Sequence, residues 1–268
     1  MTLTQAAATT AITGAGLVVG AVTTASSTTV PAGSVISQSP VAGTQVAAGS
    51  AVNLTVSNGP PPGNPVVDAT VFSDGAGTRV TPAITTTVVG DVLVAFAGSD
   101  GPSASKQTLT ISGAGLTWTL VARSNTQAGT AEIWMAKAPG ILTSATVQSV
   151  QSASGFRQSL TVVAFRNASG IGASAIANGA SGAPTVSLIT TRANSLVYGV
   201  GNDWSNAIAR TLGPNQAMTH QWVDTSTGDT YWVQNRNAPI VTSGTTVQLN
   251  DTVPTTDRWN IASVEVVP

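Results

Sequence analysis

Cysteine is absent from the 268 residues, which excludes disulfides, thiolate metal sites and cysteine nucleophiles. Histidine occurs once, as His220, so neither a multi-histidine metal centre nor a second imidazole for a relay can be assembled. Charge is scarce: Asp, Glu, Lys and Arg make up 8% of the chain, against roughly 25% in ordinary soluble proteins. Ten basic residues in a chain of net charge −1 exclude an electrostatic nucleic-acid binder. Apolar runs last only a handful of residues, far from the roughly 20 needed to cross a bilayer as a helix, so no membrane span is expected. Apolar residues nonetheless amount to 42%, enough for real cores.

What charge there is has an uneven distribution. No Asp, Glu, Lys or Arg precedes Asp68, and no aromatic residue precedes Phe72. The stretch Gly59-Pro60-Pro61-Pro62-Gly63-Asn64-Pro65 separates the two regimes. Its prolines cannot continue a sheet and favour an extended spacer, so a module is expected over 1–59 and a linker over 60–66.

Thr2-Leu3-Thr4-Gln5 has capping-box spacing, with Thr2 as N-cap. Leu3, Ala7, Ala11 and Ala15 then recur at helical spacing with Ile12 beside them, and Gly14 and Gly16 stop the helix. Strands are expected over 17–22, 35–38 and 51–57. In the last, Val52, Leu54 and Val56 alternate with polar residues, as in a half-buried strand. The opening helix, Ala15-Gly16-Leu17 with Val19-Gly20, the run Val30 to Pro40 with Gly43, and Gly49 to Ser57 together resemble a PASTA domain. The resemblance implies a small extracytoplasmic module of bacterial cell-wall proteins, in some members a peptidoglycan binder and in many a spacer. The family usually begins with a short Val-Pro-containing strand. Here the helix comes first, and the expectation is that Met1 lies inside a longer chain or that the strand is supplied from elsewhere.

Residues 67–268 contain an internal duplication. Thr70 to Ala76 matches Ser174 to Ala180, Leu93 to Asp100 matches Leu196 to Asp203, and Thr146-Val147-Gln148 matches Thr246-Val247-Gln248. On this alignment His220 falls opposite Trp118 and Trp222 opposite Leu120. Each copy reads as about seven short strands with turn signals every 8–12 residues, the pattern of an antiparallel sandwich. The expected fold is mainly β: a small α+β module, then two tandem β-sandwich lobes, 67–168 and 169–268. The short connector 167–170 requires the lobes to touch; a single fused sandwich with pseudo-twofold symmetry is the alternative. The repeat resembles domains of large secreted bacterial surface proteins.

Catalytic chemistry finds little support. No Gly-x-Ser-x-Gly or phosphate-cradling glycine motif stands in the right context, and no second histidine could complete a triad. His220 alternates with Met218 and Trp222, a packing position. Asp residues beside turns, such as Asp224 and Asp229, are read as caps of their own backbone rather than as metal ligands or acids. No cofactor or metal is expected. The aromatics are a better signal: all four Phe lie in the first copy, whereas both Tyr and four of the six Trp lie in the second. Trp232 is expected to point outward opposite Val233. A glycan site is therefore a candidate at Trp204, Trp232 and Trp259 with Asp203, Asp229 and Asp257, by ring stacking beside hydrogen-bonding carboxylates.

These readings point to a non-enzymatic structural or adhesive protein of a bacterial surface, self-assembling head to tail into a filament or layer. The last strand, with Val264, Val266 and Val267, is its candidate donor segment. A module binding peptidoglycan or another polysaccharide is the alternative, and a glycoside hydrolase is the least supported.

Overall fold

The computed structural model describes residues 3–27, 29–59, 63–103 and 106–268. Contacts divide the chain into two compact units, 1–62 and 63–268. The prolines at 60–62 of the expected linker lie outside the described residues.

The first unit is one helix on a three-stranded sheet. Helix α1 spans Gln5–Gly14, and Thr4 is its N-cap, its hydroxyl accepting from the Ala7 N–H at 3.2 Å. The cap therefore falls two residues after the expected Thr2, which itself lies outside the described residues. Ala8 and Ile12, four residues apart, form the buried stripe; Ala7, Ala11 and Ala15 are exposed, as is Leu3. The stripe is offset by one residue because Ile12 is the one large side chain able to fill the space above the sheet. Gly16 ends the helix with φ of +72°, a left-handed conformation that costs glycine little. Strands β1 (Val18–Ala25), β2 (Val35–Ser39) and β3 (Ala51–Ser57) follow in spatial order β1-β3-β2. β1 runs parallel to β3 and β2 antiparallel to it. Val52, Leu54 and Val56 of β3 meet Ala8 and Ile12, so the alternation in the sequence marks the buried face.

The second unit is two sandwiches with the same topology. In the first, β4 (Val66–Ala76), β6 (Val92–Ser99), β8 (Thr119–Ser124), β9 (Thr130–Lys137) and β11 (Arg157–Arg166) form a sheet of order β4-β11-β6-β9-β8. Its second sheet is β5 (Arg79–Val80), β10 (Val147–Gln151) and β7 (Leu109–Gly113). In the second sandwich, β12 (Gly170–Gly179), β14 (Leu196–Asp203), β16 (Gln216–Asp224), β17 (Asp229–Arg236) and β19 (Trp259–Val267) repeat the five-stranded order as β12-β19-β14-β17-β16. β13 (Thr185–Ile189), β18 (Thr246–Val253) and β15 (Thr211–Leu212) repeat the three-stranded one.

The two five-stranded sheets pack on each other. Val94, Phe96, Val163 and Phe165 of the first share one core with Tyr198, Val200, Val264 and Val266 of the second. Each sandwich keeps its own core on the opposite face of its five-stranded sheet. The layers thus run three, five, five, three strands, and central strands β6, β11, β14 and β19 are buried on both faces.

The pairing corrects the internal alignment by one residue. β6 pairs from Val92–Phe165 to Ser99–Gln158, and β14 from Leu196–Val266 to Asp203–Trp259. Val92, not Leu93, is therefore the counterpart of Leu196, and Ser99 that of Asp203. The faces agree: Leu93 fills the first sandwich's own core, whereas Leu196 packs on the core shared between the sheets. Val147 and Val247 do occupy matching places in the two separate cores.

Candidate functional site

The residues expected to bind a glycan are mostly interior. Trp232 and Trp259 belong to the second sandwich's core, at 1% and 5% exposure. Asp203, Asp229 and Asp257 are buried as well, and only Trp204 is partly exposed. The expected outward direction of Trp232 fails because its strand has apolar layers on both sides: Val233 enters the shared core and Trp232 the other.

Arg210 organises this interior. Its guanidinium pairs with Asp203, both side chains being fully buried, and lies 4.4 Å from the Trp232 ring centroid. Asp203 also accepts from the Ser205 N–H at 2.7 Å. Asp257 accepts from Asn206 Nδ2 at 2.8 Å. Asp251 is buried beside them. Burial pushes Asp203 and Asp251 up to about 7, although the Arg210 charge opposes the rise in both. This set is closed to a polysaccharide, and Asp203 and Asp257 hold the loop 204–210 to the sandwich through Ser205, Asn206 and Arg210. Trp204 stands outside it, with the Arg258 guanidinium 5.3 Å from its ring.

Asp229 lies elsewhere, where the two sandwiches meet. Its carboxylate accepts from Thr227 Oγ1 at 2.6 Å and from the Tyr231 hydroxyl at 3.2 Å. Burial raises Asp229, opposed by these two hydrogen bonds. Asp224 caps the same hairpin through Ser226 and Thr227 and pairs with Arg157 of the first sandwich at 3.0 Å. The turn-capping reading of Asp224 thus describes its geometry.

His220 sits on the same seam. Strand pairing makes it the counterpart of Ala122, not Trp118, because β8 and β16 carry the same bulge opposite Ile133 and Val233. It stacks on Phe72 and bonds Asp74, both from the other sandwich. The matching strand ends opposite are joined by neutral contacts: Ser124 Oγ donates to Ala177 O at 2.7 Å, and Gln127 to Asn178 at 3.1 Å. Nothing in the sequence spacing announces partners so far apart in the chain.

The expected donor segment is also interior. Val264, Val266 and Val267 belong to β19, which already pairs with β12 on one side and β14 on the other. With both edges hydrogen-bonded, this strand cannot be donated to a neighbouring copy. Glu265 anchors it, accepting from the backbone N–H groups of Ala173, Thr191 and Arg192 at 2.9–3.0 Å.

In the first sandwich the matching interior is held by buried Glu132, which pairs with Arg123 at 2.7 Å and accepts from Trp134 Nε1 and the Leu109 N–H. Among the described residues, no three His, Asp or Glu side chains gather as a metal-ligand set. No described helix is long and apolar enough to cross a membrane.

The first unit carries a shallow groove between α1 and β2, lined by Leu3, Ala8, Val35, Ile36, Ser37 and Gln38. No curated protein and no solved structure matches the chain. The PASTA domain family model matches residues 1–58, so this helix-and-sheet unit is a PASTA domain, a cell-wall-related module.

Proposed function

We propose that the chain is a non-enzymatic, extracellular protein of a bacterial surface, held at the cell wall by its PASTA domain and presenting the double sandwich as a rigid body. The PASTA match over residues 1–58 carries this reading. The closed packing of the carboxylates supports a structural rather than a hydrolytic role for the sandwiches: Asp203, Asp229, Asp251 and Asp257 are all buried. Cosedimentation of the full chain with purified peptidoglycan sacculi tests it. The protein is expected in the pellet, and recovery in the supernatant at every sacculus concentration overturns it.

Self-association into a filament or layer is a second reading. It draws on one observation: the PASTA unit has no charged side chain and exposes Leu3, Val18, Val22 and Val41. A copy could approach that surface without stripping water from an ion. Since β19 is buried, any assembly uses side-chain packing on this unit rather than donation of the last strand. Light scattering that shows only monomer at all accessible concentrations removes this reading.

A further inference from the structure

The two sandwiches fill one corresponding place in opposite ways. In the first, Trp118 and Trp134 pack with Leu116 against the apolar core, and the Trp118 indole donates to Gly113 O at 3.2 Å. The matched pairings Leu120–Trp134 and Met218–Gln234 place Gln234 where Trp134 stands. The same register, carried one residue further, puts Gln216 at the position of Trp118 and Arg236 at that of buried Ala136. Two indoles in one copy stand where two amides stand in the other, and an alanine where the other has a guanidinium.

A cleft of about 290 Å³ lies beside these positions, between β17 and β18 of the second sandwich. Pro214, Arg236, Ile240, Thr246, Gln248 and Asn250 line it. Behind Asn250, one of its lining residues, runs a fixed amide network. Gln216 Nε2 donates to Asn250 O at 2.9 Å, and Gln234 Nε2 to Gln216 Oε1 at 3.0 Å. Gln216 Oε1 also accepts from the Asn250 N–H at 3.1 Å. Arg236 is tethered by one nitrogen, Nη1, to Pro214 O at 3.1 Å. Among the described residues it makes no ion pair, and no carboxylate lines the cleft.

A half-open cleft with one fixed guanidinium, neutral amide and hydroxyl groups and an apolar flank suits a particular chemistry. The guanidinium fork takes a carboxylate in two parallel hydrogen bonds. The amides and threonine hydroxyls suit ring hydroxyls, and Pro214 with Ile240 offers a surface for the apolar side of a pyranose. We propose that this cleft is a binding site for an acidic sugar, a pyranose bearing one carboxylate, with Arg236 holding the carboxylate and Gln248 and Asn250 holding the ring substituents. The site lies in the second unit and does not depend on sacculus binding by the PASTA domain.

The test is a nuclear magnetic resonance titration of the full chain with four single sugars. N-acetylmuramic acid and N-acetylglucosamine share a ring and differ by the lactyl carboxylate; glucuronic acid and glucose differ by the carboxylate at C6. Shifts of the Arg236 Nε–H and of the Gln248 and Asn250 side-chain amides are expected with one or both acidic sugars and not with the neutral ones. Which acidic sugar binds decides between a lactyl ether and a hexuronate. Arg236→Gln is expected to weaken that binding roughly tenfold to hundredfold, as the charge-assisted contact to the carboxylate is lost. Gln248→Ala, at an exposed position, is a second variant that leaves the fold in place. The proposal is overturned if no sugar shifts these resonances, if neutral sugars bind as well as acidic ones, or if Arg236→Gln leaves affinity unchanged. Retention of the Arg236→Gln protein on sacculi with loss of sugar binding separates this site from the PASTA domain.

Discussion

His220 Nε2 lies 2.9 Å from Asp74 Oδ2, across 146 residues of chain, with the imidazole stacked 3.9 Å from the Phe72 ring. These contacts join edge strand β16 of the second sandwich to edge strand β4 of the first. The duplication did not preserve them. At the opposite edge pair the same register brings Ala122 to the place of His220 and Ile176 to that of Phe72. One side of the seam is therefore closed by an aromatic stack and a polar bond, and the other by neutral hydrogen bonds.

His220→Ala removes one stack and one partly buried polar bond. A loss of about 1–3 kcal/mol is expected, from about 0.5–1.5 for each interaction. Urea unfolding measures it. A change within about 0.5 kcal/mol, the scatter of ordinary surface substitutions, means that the seam is held by its shared core alone.

Arg210→Met leaves Asp203 and Asp251 buried without a cation. About 3–5 kcal/mol of stability should be lost, because breaking a buried pair strands its partner. Adding Asp203→Leu should restore part of this, since one of the two stranded carboxyls is then replaced by an apolar side chain. If the double variant is less stable than Arg210→Met, the pair is not the unit that matters.

Trp232→Ala and Trp204→Ala should separate cleanly. Trp232 fills the second core under the Arg210 guanidinium, so its removal should cost about 3–5 kcal/mol. Trp204 is partly exposed and should cost clearly less. Equal losses in thermal unfolding would contradict the burial of Trp232.

Stability should be greatest at mildly acidic pH. Burial raises Asp91 and Asp100 to about 6 and Asp203 and Asp251 to about 7. A carboxyl raised above its unfolded value of about 4 binds its proton more tightly when folded. Its contribution is complete below about pH 4 and is lost as the pH rises through 6 to 7. Asp68, Asp224 and Glu265 act the other way. Burial pushes each up, but hydrogen bonds to Thr87, to Ser226 and Thr227, and to backbone N–H groups outweigh it and hold them below the usual range. Their contribution is lost as the pH falls through the acid range. The melting temperature should therefore fall between about pH 5 and about pH 8, and Asp251→Asn should flatten that fall. A melting temperature that climbs steadily over the same interval would show the buried carboxyls to be fully ionised.

The sequence by itself determined the class of fold and much of its order. The charge-free opening, the proline stretch after Gly59 and the alternation of Val52, Leu54 and Val56 are local signals, and local chemistry decides a helix, a half-buried strand or a break in the chain. It also revealed the copy of residues 67–168 in 169–268, because homologous strands keep their apolar residues even where loops drift. Only the tertiary structure decided which face of a strand is wet. In β6, β11, β14 and β19 every face is covered, so a period of two separates one core from another rather than core from water. That is why Leu93 and Leu196 look equivalent in the sequence although they enter different cores; Trp232, on β17 between the same two apolar layers, has the pattern of a surface ring for the same reason. The meeting of His220 with Asp74, and of Arg236 with Gln248 and Asn250 around a cleft, depends on strands brought together from distant parts of the chain, which no spacing along the sequence encodes.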